Sequence, residues 1–219
     1  MFKALLLIFD PIATWEGIFR AQRGMVSLLL AFLLPLLLIT SACEAYGLTH
    51  WGKWQDQSPG LWGKGQAEVQ RLKKFSVSEA LVVETAQLVL SLTVVFLGAS
   101  LVKSIGETFH GRYTYTQTFT TVAYSLSPLF LLRLFDAFTG VSPWVAWGIG
   151  IILSFAVLYH GVPRMMEPDP AHAFGLYVIS ALLLALVSAL ARFLTAAYLN
   201  GKFPKLQATV SDLTARLPF

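Results

Sequence analysis

Residues 173–191 read AFGLYVISALLLALVSALA, a run with no charged side chain that ends only at Arg192. A helix crossing the hydrocarbon core of a bilayer needs about 20 predominantly apolar residues, and this run meets that length. Working outward, the pattern recurs. Met25 to Cys43, Thr85 to Val102, Tyr113 to Leu132 and Ala137 to Tyr159 are likewise uncharged, and Glu84 interrupts a run that begins at Ala80. The runs are apolar on both parities, which excludes the alternating strands of a membrane β-barrel. A spanning segment must satisfy its own backbone hydrogen bonds. Five such runs in 219 residues therefore predict an all-α, polytopic membrane protein, a bundle of five transmembrane helices.

Composition agrees. Hydrophobic residues make up 56% of the chain and charged residues 13%, with a mean hydropathy of +0.65. Soluble domains carry about 25% charged residues, so an ordinary soluble domain, a disordered chain and a disulfide scaffold are all excluded. Cys43, the single cysteine, has no partner for an internal bridge or a multi-cysteine metal site. The net charge is +4. Its basic residues sit beside apolar runs, which points to anionic lipid headgroups rather than nucleic acid.

The chain divides into an N-terminal interfacial segment (1–23), a membrane domain (24–199) and a polar C-terminal tail (200–219). The opening MFKALLLIFDP is too short to span and lacks a cleavage site, so it is not read as a secretory signal. Asp10 suits a helix N-cap and Pro11 the first helical position. Ile12, Trp15 and Phe19 then share a face, followed by Arg20 and Arg23, which predicts an amphipathic helix in the interface. The spans are expected at about 24–46, 78–104, 115–137, 143–163 and 171–199. Pro35 deprives the carbonyl of Ala31 of its usual partner and predicts a kink in span one. Cys43 reads as a small buried thiol. Residues 47–77 form the one substantial loop, with Trp51, Trp54, Trp62 and five basic residues; Gln66 to Phe75 is read as a short surface helix. Ser78 is the expected cap of span two, and Gly161 with Pro163 the expected end of span four. Trp144 and Trp147 fit an aromatic belt. Leu206, Val210, Leu213 and Leu217 recur at helical spacing in the tail, fitting a second surface helix or a partly ordered terminus.

Charge bias does not settle orientation. With an inside N-terminus, six basic residues fall inside and ten on the other face, opposite to the positive-inside rule, while Arg20 and Arg23 next to span one favour the reverse.

Ionisable groups inside spans are costly and are functional candidates by default. Glu84 lies in span two, with Gln87, Ser91 and Gly98 along its face. That face admits two readings, a proton or ion path and a polar seam that fixes helix packing. Arg133 and Asp136, three apart at the end of span three, are placed to pair on one face, as an edge ion pair or a substrate site. Pro128 frees the carbonyl of Tyr124, with Ser125 or Ser127 at hand to satisfy it. Gly148 and Gly150 suit close helix packing. His50, His110, His160 and His172 show no metal-ligand spacing, and no Walker loop, dinucleotide fingerprint, nucleophile elbow or zinc-protease motif occurs. No enzyme activity, cofactor or metal is expected.

Three stretches carry a family resemblance: DPIATWEGIF (10–19), TVAYSLSPLFLL (121–132) and LYHGVPRMMEPDPAHAF (158–174). In their order and spacing the chain resembles the Yip-type family of Ypt/Rab-interacting membrane proteins, its bacterial branch in particular. The signature positions are Tyr124, Ser125, Pro128, Tyr159, Gly161 and Pro163. The resemblance implies a five-helix domain in the bacterial inner membrane with a cytoplasmic N-terminus, and no catalytic residue to carry over. Eukaryotic members contact small GTPases through a longer N-terminal region; the short segment before span one argues against that role here. The expected function is a non-enzymatic membrane protein that organises membrane or a partner complex, with membrane lipids and a protein partner or a second copy as contacts. The alternative is a small transporter or channel with a polar path near Glu84.

Overall fold

The computed structural model describes residues 2–56, 70–109 and 111–215. Five of its helices are long and apolar enough to cross a membrane: α3 (Met25–His50), α4 (Val77–Thr108), α5 (Tyr115–Ala137), α6 (Pro143–Met166) and α7 (Ala173–Leu199). Two short helices precede them, α1 (Phe2–Phe9) and α2 (Pro11–Ala21), and α8 (Pro204–Ala215) follows. Trp62, Lys64, His110, Arg216 and Leu217 lie outside the described residues.

Local chemistry sets the helix boundaries. Asp10 caps α2, its Oδ1 accepting from the N–H of Ala13, with Pro11 at the first position. The cap of α4 is Ser76, not Ser78: Ser76 and Glu79 form a reciprocal capping box that satisfies two otherwise orphaned donors. Thr114 and Gln117 do the same for α5. Span four does not stop at Gly161 and Pro163. Helix α6 runs through both to Met166 and ends where Glu167 adopts a left-handed conformation, φ 45°, just before Pro168. Proline costs a helix one hydrogen bond, and the packing of α6 tolerates it.

Two prolines reshape their spans. Upstream of Pro35, residues Leu29–Leu33 form a π-helical turn, a wider coil that accommodates the missing donor. In α5 the helix breaks at Leu126; it resumes at Ser127–Leu132 and tightens to a 3-10 turn over Arg133–Ala137. The hydroxyl of Ser127 donates to the Tyr124 carbonyl at 2.7 Å, so the backbone opened by Pro128 is satisfied locally.

Sequence neighbours α4–α5, α5–α6 and α6–α7 pack together, and α4 also packs against α7, closing the bundle. Span three is the central one: the side chains of Thr118 through Leu131 are all buried. Close approach relies on small residues. A β-carbon at Gly47 would overlap the backbone of Ala137, and one at Gly150 would press on Leu129 at 3.0 Å. Gly148, by contrast, faces open space.

The N-terminal segment is more than a surface float. Ala4 and Leu7 of α1 and Trp15 and Ile18 of α2 are buried in the main core, whereas Ile12 is 67% exposed. The inward stripe therefore runs through Trp15 and Ile18 rather than Ile12. At the opposite end, the loop is capped by a two-stranded antiparallel hairpin of β1 (Lys53–Asp56) and β2 (Gln70–Lys73), with Lys53 opposite Lys73. The surface helix expected over 66–75 is thus a strand across 70–73; residues 66–69 are outside the described ones. Gln55 ties the hairpin to α7 through the Leu199 carbonyl, and Trp51 stacks on Phe138. Cys43 is exposed on the outer face of α3, not buried, because Thr40, Ser41 and Glu44 occupy the inward positions around it.

Candidate functional site: a buried charge network and a three-motif junction

Glu44, Glu84, Arg133, Asp136 and Arg192 all turn into the bundle and are buried. Arg133 reaches from α5 to two other spans: its Nη2 donates to Glu44 Oε2 on α3 at 3.1 Å and to Glu84 Oε2 on α4 at 3.4 Å. Its Nη1 donates to the Ser91 hydroxyl at 3.2 Å, and Gln87 Nε2 donates to the same Glu44 oxygen at 2.8 Å. Asp136 does not pair with Arg133. It accepts from Arg192 of α7, whose guanidinium also donates to the Pro143 carbonyl at the start of α6. In a helical turn that tightens to 3-10, each of the two is drawn to a different span.

The network links all five spans near one end. Glu44 lies six residues before the end of α3 and Glu84 seven after the start of α4, a depth of about 10 Å at the rise of an α-helix. Lys53 of the hairpin is buried above it, facing Asp136, Glu44 and Glu84 as well as Arg192. Burial pushes its amine below the ordinary lysine value, and the carboxylates pull partly the other way. Three carboxylates therefore meet three cations. Several acceptors remain unpaired within the described residues: Glu44 Oε1, Glu84 Oε1, Gln87 Oε1 and Asp136 Oδ2, with the donor Arg133 Nε. A cavity of about 60 Å³ abuts Gln87, Ser91, Arg133, Asp136 and Arg192 on one side. A groove between α3 and α4 reaches Ser41 and Glu84 on the other. Among the described residues no cluster of His, Cys, Asp and Glu could hold a metal ion.

Of the residues singled out in the sequence, Glu84, Gln87, Ser91 and Arg133 come together, while Asp136 pairs separately with Arg192 on the wall of the same cavity. Glu44, Arg192 and Lys53 were missed. Glu44 and Arg192 are each the first charge after an uncharged run and fall inside the expected spans 24–46 and 171–199. The usable signal was that an apolar helical pattern continues for about two turns beyond each.

A second convergence lies at the opposite end. Trp15 Nε1 donates to the Val157 carbonyl at 3.0 Å, the indole packs on Gly161, and its ring meets Tyr124 edge-on at 6.0 Å. Three stretches far apart in sequence, 10–19, 121–132 and 158–174, thus meet around one side chain. Tyr124, Ser125, Pro128 and Gly161 are buried in or beside this junction; Tyr159 is 53% exposed and, with Pro163 and His160, lines a surface groove that Trp15 also borders.

A family model, the Yip1 domain, matches residues 5–192. The chain belongs to the Yip1 family. The matched region of this Yip1-family member takes in most of α1 and all of α2 and ends at Arg192. No curated protein and no solved structure matches the chain.

Proposed function

We propose that this Yip1-family protein is a non-enzymatic organiser of the membrane or of a membrane-bound partner complex, acting through its helix faces. In this reading it resides in a bacterial inner membrane with its N-terminus on the cytoplasmic side, and its contacts are lipids and a protein partner or a second copy. The observation that carries it is the disposition of charge. The charges well inside the spans are turned inward and ion-paired across helices, while the outer faces carry Leu38, Leu97, Ile152, Leu182, Leu186 and Leu190. Charged groups are expensive within a bilayer, and pairing them inward yields a rigid body with an apolar exterior. The exposed motif residues around Tyr159 then form the face for a partner.

The test is gentle purification from native membrane with quantitative mass spectrometry. A stoichiometric partner that is lost on Tyr159→Ala, with bundle stability unchanged, supports the reading. A clean homo-oligomer that conducts ions in liposomes overturns it.

The unpaired acceptors beside the 60 Å³ cavity favour a second reading, transport of a proton or cation past Glu84. Flux in liposomes abolished by Glu84→Gln supports it; flux unchanged from protein-free vesicles rejects it.

A further inference from the structure

A separate cavity of about 270 Å³ opens at the end of the bundle where α1, α2, the start of α5 and the end of α6 meet. Lys3 and Arg23 both line it. Neither forms an ion pair with any described residue, and none of the described residues lining the cavity is acidic. Their mutual approach is unfavourable: burial and the neighbouring Arg23 both push the Lys3 amine below its ordinary value. Gln22, left-handed at φ 39°, ends α2 and carries the chain along the cavity wall to Arg23.

The rest of the polar lining is uncharged, and the hydroxyls of Thr114 and Thr120 already donate to Gln117 Oε1 and the Thr116 carbonyl. Thr114 and Gln117, the capping pair of α5, place the positive end of that helix dipole at the cavity. Tyr124 is 1% exposed, with its ring held by Trp15 and Phe32. Its hydroxyl has no hydrogen-bond partner among the described residues, and Arg23 is near enough to act on it electrostatically. Lining the cavity without a protein partner, this hydroxyl is free to donate to a bound acceptor. Ile18, Phe19 and Met165 add an apolar wall.

We propose that this cavity binds a phosphate group at the membrane interface, held by Lys3, Arg23 and the Tyr124 hydroxyl. Two unpaired cations, a fixed hydroxyl and a helix N-terminus match the several acceptor oxygens and negative charge of a phosphate. The apolar wall lies where the glycerol and upper acyl chain of a phospholipid would run. An anionic phospholipid headgroup and a soluble phosphate share this chemistry. The inference stands whether the protein is an organiser or a transporter.

The experiment uses the full chain in detergent, first stripped and then given phosphatidylglycerol, phosphatidylcholine or inorganic phosphate, with bound species counted by native mass spectrometry. Retention of phosphatidylglycerol should fall at least about tenfold in Lys3→Gln/Arg23→Gln and about fivefold in Tyr124→Phe, which removes one hydroxyl. Arg20→Gln, a surface arginine paired with Glu16 outside the cavity, should leave it unchanged. Phosphatidylglycerol retained while inorganic phosphate is not identifies the lipid as the source; inorganic phosphate displacing it at comparable concentration identifies a soluble ligand. Equal retention in wild type, the double variant and Tyr124→Phe overturns the proposal, as does an equal loss in Arg20→Gln. Thermal unfolding of each variant separates lost binding from lost folding, and Tyr124→Phe preserves the ring contacts if the double variant fails to fold.

Discussion

The indole of Trp15 in α2 packs on Gly161 in α6 so closely that a β-carbon at 161 would overlap the ring, while its N–H donates to the Val157 carbonyl one turn earlier. The contact docks the N-terminal helices onto span four. Gly161→Ala must displace either the ring or the helix, an overpacking cost of about 1–3 kcal/mol. A lowered thermal midpoint in detergent, followed by tryptophan fluorescence, checks this. Gly148→Ala, with open space around it, should leave the midpoint unchanged.

Arg133 is the shared partner of Glu44 and Glu84. Arg133→Met takes from two buried carboxylates the cation that bonds them both, and breaking a buried pair from one side costs about 3–5 kcal/mol. Glu84→Gln should cost much less, because Arg133 keeps Glu44. Combining Arg133→Met with Glu44→Gln and Glu84→Gln should recover most of the loss. If the triple variant is no more stable than Arg133→Met alone, the network is not what holds these spans.

Ser127 repairs the break that Pro128 makes. Ser127→Ala removes the donor to the Tyr124 carbonyl, and side-chain hydrogen bonds inside membrane bundles average about 0.6 kcal/mol. A small destabilisation is expected on thermal unfolding. Pro128→Ala should offset it by restoring a backbone donor, so the two changes together should be near neutral.

Lys53 gives a pH dependence. Its amine is held below the ordinary value of 10.5, chiefly by burial. Between its folded value and 10.5 the unfolded chain binds the extra proton, so its contribution to stability rises with pH across that window. Wild type should gain on Lys53→Met as the buffer is made alkaline, measured as the difference in thermal midpoint. A difference that is flat or shrinks in the opposite sense contradicts the assignment.

Five uncharged runs sufficed to read an all-α bundle of five spans, because a backbone in lipid has no other way to satisfy its polar groups. Caps at Asp10 and the proline break at Pro128 were legible too, since both depend on residues within one turn. Partnership was not. Arg133 and Asp136 are three apart and look like a pair, yet each bonds to different spans, because tertiary packing brings Glu44, Glu84 and Arg192 to them across 49 to 89 positions of chain. The apolar pattern beyond Glu44 places it within the span, but nothing local names the partner it meets there. Only the assembled bundle decides that its side chain turns inward to Arg133. The same holds for Trp15: its place on an amphipathic face was evident, but Gly161 and Tyr124 became its neighbours only when three distant stretches were packed together. Sequence determined which segments enter the membrane, through hydrophobicity and local hydrogen bonding; tertiary structure decided which of their polar groups meet, because such contacts depend on the relative rotation and depth of helices that local sequence does not encode.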